Sequence, residues 1–134
     1  MDIDVKKKFD AYPKQVKTRL LMIRGSILEL SNKDDIGEIT ETLKWGEPSY
    51  ITPSGSTVRI DWKPKNPERC SVYFNCKTTL IETFREIYCD TFQFVGNREI
   101  NVPISGEIPL MELMACISMS LRYHKIKHLP LLGG

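Results

Sequence analysis

Apolar residues recur at helical spacing in several stretches of this chain. Val16, Leu20, Ile23, Ile27 and Leu30 form one stripe, and Lys14, Lys17, Arg24 and Glu29 lie mostly off it. This spacing predicts an amphipathic helix of about 18 residues. Pro13 suits its first turn, where the missing N–H has no partner to lose, and it stops near Ser31-Asn32. A shorter helical segment precedes it at residues 4–9. Asp34 or Asp35 is positioned to cap a second, short helix whose apolar residues are Ile36, Ile39 and Leu43, ended by Gly46 and Pro48. Thr79-Leu-Ile-Glu82 matches a capping box ahead of Leu80, Phe84, Ile87 and Tyr88. Pro109 opens a last long helix with Leu110, Leu113, Met114, Ile117 and Leu121 at core spacing.

Between these helices the period changes to two. Ser49–Thr52, Thr57–Trp62, Cys70–Asn75, Phe92–Val95 and Glu99–Val102 are strand candidates. Val58, Ile60 and Trp62 share one face, with Arg59 and Asp61 on the other. Cys70 and Cys76 fall on the face of Val72 and Phe74. The Pro53-Ser-Gly-Ser turn and the Gly96-Asn97 pair are hairpin signals. Consecutive strands joined by short turns predict an α+β fold, an antiparallel sheet of about five strands packed with helices. With 134 residues, one domain is expected.

Composition narrows the function classes. Hydrophobic residues make up 41% and charged residues 27%, as in ordinary globular proteins. The net charge is only +2, but it is blocked: +4 over residues 1–33, −4 over 34–50, +3 over 51–79, −4 over 80–112 and +3 over 113–134. The pI of 8.3 falls short of the ~9 typical of dedicated nucleic-acid binders. The N-terminus lacks the apolar core of a signal peptide, and no apolar run approaches the ~20 residues of a membrane span. Four cysteines without a C-x-x-C pair are consistent with reduced thiols. A cytoplasmic location is expected.

No phosphate-cradling glycine loop, G-x-S-x-G or H-E-x-x-H occurs, so no catalytic residue is assigned. Asp34, Glu38 and Glu41 stand at i, i+4 and i+7 on the expected second helix, with Asp35 adjacent. That many carboxylates on one helical face would suit a hard cation such as iron, manganese or magnesium. The plainer reading is a solvated face with acids near a helix N-terminus. Arg59, Trp62, Lys63 and Arg69, with Lys65 among them, combine basic charge with an aromatic that could stack on a base. They are equally a solvated loop around a core tryptophan.

Glu41-Thr-Leu-Lys-Trp-Gly-Glu-Pro-Ser-Tyr50 stands apart. It resembles the E-x-x-K-W-G-x-P-x-Y-type element of the YdhG-like domain family, small bacterial proteins mostly without assigned function. Phe9-Asp-Ala-Tyr-Pro13, the Gly55 turn, Ser71-Val-Tyr-Phe74 and Asn97-Arg-Glu-Ile100 follow the same order, so the resemblance spans about residues 5–124. It implies a compact domain with an antiparallel sheet. One member is described as a frataxin-like iron chaperone, which implies iron as a cargo; the ligand set Asp34, Asp35, Glu38 and Glu41 comes from carboxylate spacing alone. Physically, Trp45 and Tyr50 form either a structural corner or the rim of a small-ligand pocket with Glu41 and Lys44. The expected function is therefore a non-enzymatic cytosolic binding domain for a small ligand, metal or protein partner. The alternatives are an iron chaperone using residues 34–41, and a nucleic-acid- or protein-binding module using the basic hairpin 59–69.

Overall fold

The stripe on the long N-terminal helix is buried along its whole length. In the computed structural model, which describes residues 1–134 except Asp34, α2 (Lys14–Glu29) buries Val16, Leu20, Ile23 and Ile27. Leu30 closes the stripe in a following 3-10 turn. Pro13 is its N-cap. Ahead of it, α1 (Ile3–Ala11) is capped by Asp2, whose side chain accepts from the Asp4 and Val5 N–H groups, and it buries Val5 and Phe9.

The expected second helix is a strand. Thr40–Lys44 (β1) pairs antiparallel with Glu47–Ile51 (β2), Glu41 opposite Tyr50 and Leu43 opposite Pro48. Trp45 and Gly46 connect them with φ of 56° and 75°. Two central residues at positive φ are what a type I′ hairpin turn requires. Ile36 is buried and Ile39 and Leu43 pack against the core, so their helix-like spacing reflects two different local structures. Thr40 and Thr42, β-branched, suit the strand.

Val58–Asp61 (β3) and Arg69–Tyr73 (β4) extend the sheet. After α3 (Leu80–Ile87), Gln93–Val95 (β5) and Glu99–Pro103 (β6) complete it. The strand order is β1-β2-β3-β4-β6-β5, every pairing antiparallel. The chain is thus α+β, its sheet of six strands close to the expected count of about five. The capping box at Thr79 does not form: its side chain makes no cap hydrogen bond, and the Leu80 N–H donates to Thr78 Oγ1 at 3.3 Å instead.

Residues paired across an antiparallel sheet share a face. Tyr50, Val58, Ile60, Cys70, Val72, Ile100 and Val102 are all within 1% of full burial and meet α1, α2 and α4 (Leu110–Leu121) in one core. The opposite face is polar. One row across all six strands reads Thr42, Ser49, Arg59, Tyr73, Glu99, Val95. A second carries Asp61, Ser71, Asn101 and Gln93. No helix among the described residues is long and apolar enough to cross a membrane.

The C-terminal end of α4 anchors the β2–β3 loop. Thr52 Oγ1 donates to Leu121 O at 2.6 Å, the Ser56 N–H to Ser120 O at 2.7 Å, and Ser120 Oγ back to Ser56 O at 2.9 Å. The His124 N–H, from the short α5 (Tyr123–Ile126), donates to Ser54 O at 2.9 Å. Gly55 is required by this contact. A Cβ there would stand 2.3 Å from both Leu121 O and Thr52 Oγ1.

Candidate ligand-binding cleft

The residues singled out around Trp45 part company in the structure. Glu41 and Tyr50 face the core: Tyr50 is fully buried, and its hydroxyl donates to Glu41 Oε2 at 2.9 Å. Arg24 of α2 holds the same carboxylate. Burial, reinforced by the Glu41 charge, pushes the Tyr50 phenol well above its ordinary range. These groups form a structural clamp. Strand alternation sends Lys44 to the other side of the hairpin, and Trp45, in the turn, lines the same cleft as Lys44.

Trp45 is 88% exposed. It stands at the mouth of a cleft of about 850 Å³ on the polar sheet face. Lys44, Arg59, Lys77 and Arg98 line this cleft, together with Tyr73, Cys76 and His124 and the loop of Gly55, Ser56 and Thr57. Among the described residues Glu47 is the one carboxylate in the wall, and it is already matched: Arg59 Nε donates to its Oε1 and Lys63 Nζ to its Oε2, each at 3.0 Å. Arg98 Nη2 donates to Cys76 Sγ at 3.2 Å. The anchored β2–β3 loop forms one wall and the segment after β4 another, so the cleft is built on fixed elements.

A second hollow of about 220 Å³ adjoins it and shares Tyr73. Lys63, Lys65, Asn66 and Arg69 line its outer side, and Ser71, Glu99 and Asn101 its floor. Ser71 Oγ lies 2.7 Å from Glu99 Oε2 and 3.0 Å from Asn101 Oδ1, within donating distance of either. Lys63 also donates to Asp61.

Comparison of the chain with protein-family models, curated proteins and solved structures finds no match.

The basic-hairpin residues are also divided. Arg59 lines the larger cleft, and Lys63 and Arg69 the smaller. Trp62 is half-buried against the core, with Nε1 donating to Pro67 O at 2.9 Å, and lines neither hollow. The carboxylates of residues 35–41 do not share a helix face. Asp35 is exposed and paired with Lys125 at 3.2 Å, Glu38 is exposed in coil, and Glu41 serves the Arg24 clamp. Asp34 lies outside the described residues. Among the described residues no group of three or more His, Cys, Asp or Glu could hold a metal ion, and the helix face on which the carboxylate spacing relied is not formed, since Thr40–Lys44 is a strand.

Asp61 lies on the face opposite Val58 and Ile60, as expected, yet it is buried. Burial alone would raise its carboxyl, but hydrogen bonds from Lys63 and Tyr12 hold it below the usual carboxylate range. Tyr12 Oη donates at 2.5 Å and Lys8 Nζ lies 3.7 Å away. Lys77, Arg98, Tyr73 and Glu47 entered no sequence-based site. Alternation against Ile60 and Val72 would have put Arg59 and Tyr73 on one outward row. Lys77 and Arg98 lie just outside the strands, where the pattern is silent.

Proposed function

We propose that this chain is a YdhG-like cytoplasmic binding domain that takes a small anionic ligand carrying a flat ring into the cleft beside Trp45. One observation carries the reading. A tryptophan held at φ 56° and 88% exposed satisfies neither backbone preference nor burial, and it borders a cleft lined by four cationic side chains and one carboxylate that is already paired. Bulky residues at positive φ are outliers, and such strain concentrates at functional sites. Lys44, Lys77 and Arg98 supply charge for the anion, and the indole face supplies a stacking surface.

The reading is of binding rather than catalysis. The buried thiols are kept protonated: burial pushes Cys70 up to about 12 and Cys116 higher still. Neither is poised as a nucleophile. The α+β fold with its antiparallel sheet agrees with what the Trp-Gly-x-Pro element implies about family.

Titration of the full chain with pyrophosphate and with thymidine monophosphate, followed by tryptophan fluorescence and amide NMR shifts, tests this. Saturable binding of both, quenching only by the nucleotide, and loss of both in Lys77→Ala/Arg98→Ala is the expected result. No saturable binding of either anion, or binding indifferent to that double substitution, rules the reading out.

A further inference from the structure

The two hollows on the polar sheet face are neighbours, and Tyr73 of β4 belongs to both. We infer that this face binds an extended single-stranded nucleic acid, one nucleotide seated beside Trp45 and the strand running past Tyr73 toward Lys65 and Arg69. The inference rests on the anion-binding reading of the larger cleft and extends it.

Three observations support it. Cationic side chains continue from one hollow to the other: Lys44 and Lys77 line the first, Lys65 and Arg69 the second. A polyanion engages such a row, whereas a single small anion fills one end. Trp45 and Tyr73 place two aromatic rings along the same path, Trp45 exposed and Tyr73 half-buried. Bases stack on such rings whatever their identity. Two of the acidic groups on this face are paired with cations, Glu47 with Arg59 and Lys63 and Asp61 with Lys63, while Glu99 accepts a hydrogen bond from Ser71 and stands in the same hollow as Lys65 and Arg69. An open antiparallel sheet with basic and aromatic residues facing outward is a general platform for splayed single strands.

The test uses the full chain and a fluorescein-labelled oligothymidylate of about ten nucleotides, within the usual span of one small domain. The oligonucleotide is expected to bind at least tenfold tighter than thymidine monophosphate. If Lys44, Lys65, Arg69 and Lys77 each meet a phosphate, log K falls against log salt with a slope of about −3. Lys65→Ala/Arg69→Ala should lower oligonucleotide affinity and flatten that slope while leaving thymidine monophosphate binding unchanged; both residues are exposed, so folding is not at issue. Trp45→Ala should cost about tenfold or more for the oligonucleotide. An oligonucleotide that binds no tighter than the mononucleotide overturns the extended strand and leaves the single-cleft reading standing. Failure of both ligands overturns both. Polyglutamate of matched charge binding as tightly as the oligonucleotide overturns the nucleic-acid assignment in favour of an acidic protein segment.

Discussion

Arg24 grips Glu41 with two parallel hydrogen bonds, Nε to Oε2 at 2.6 Å and Nη2 to Oε1 at 3.0 Å. The Tyr50 hydroxyl adds a third at 2.9 Å. Glu41 and Tyr50 are register partners across β1 and β2, so this one carboxylate ties α2 to the hairpin that carries Trp45 at its tip. The Arg24 and Glu41 side chains keep only 21% and 11% of their exposure. The hydrogen bond from Arg24 to Glu41 holds the guanidinium charged above its ordinary range. Bidentate geometry and partial burial lift the pair above an ordinary surface ion pair.

Removing one partner should therefore expose the cost of the other. Glu41→Ala leaves Arg24 charged without its partner and Tyr50 Oη without an acceptor. A fully buried pair would cost about 3–5 kcal/mol, and the residual exposure of Arg24 reduces the expected loss to about 2 kcal/mol. Glu41→Gln, which keeps an acceptor for Tyr50, should lose less. Urea denaturation of the three proteins checks the order, and an alanine variant as stable as the parent would refute the clamp.

Stability should fall on both sides of neutrality, for separable reasons. Asp61 titrates below its ordinary value in the folded chain. The unfolded chain therefore takes up the proton first, and stability present above about pH 4 is lost as pH falls through the folded pKa. Asp10, held to about 2 by hydrogen bonds from Lys17 and Lys6, acts with the same sign but in water, so added salt removes its share. Asp61→Asn should flatten the acid limb that persists in salt. At the other end, burial with help from Asp61 pushes the Cys70 thiol up to about 12 against the pull of Arg19. An unfolded thiol ionises near about 8.5, so stability declines as pH rises from there toward the folded value. Urea midpoints across pH for the parent, Asp61→Asn and Cys70→Ala resolve the two limbs by slope.

Two glycines should respond in opposite directions. Gly25 lies inside α2, and a Cβ added there would meet nothing within 4 Å. Gly25→Ala should therefore stabilise by about 0.5–1 kcal/mol through helix propensity. Gly55→Ala drives a methyl group against Leu121 O and Thr52 Oγ1. The loop must move, at about 1–3 kcal/mol, and Ser56 and Thr57 in the cleft wall move with it. Weaker pyrophosphate binding should accompany the lower melting temperature, although no charged group is changed.

The helices were legible because their stripes are long. Four turns of α2 repeat the same spacing, and every stripe residue is buried. β1 was not, because five residues carry too little pattern. Ile36, Ile39 and Leu43 mimic a helix, and only pairing with β2 reveals that Glu41 and Leu43 lie on opposite sides of the local pleat from Thr42 and Lys44. The same pairing splits Glu41 and Tyr50 from Lys44. The cleft was less legible still, since it draws Lys44, Arg59, Lys77 and Arg98 from four separate segments. Their convergence depends on strand order, and strand order is written in no local stretch.

Trp45 offers the sharpest separation of stability from function. Its φ of 56° is a conformation that asparagine tolerates and a bulky L residue resists. Asn-Gly is the preferred pair for a two-residue turn of this kind. Trp45→Asn should therefore stabilise the hairpin by about 0.5–1 kcal/mol, since an 88% exposed indole contributes little packing. The same substitution removes the stacking surface at the cleft mouth and should weaken thymidine monophosphate binding while sparing pyrophosphate. Thermal melts and parallel titrations of the two proteins supply both readings. Should the asparagine variant melt lower than the parent, Trp45 is a packing residue after all, and its place at the cleft carries no functional meaning.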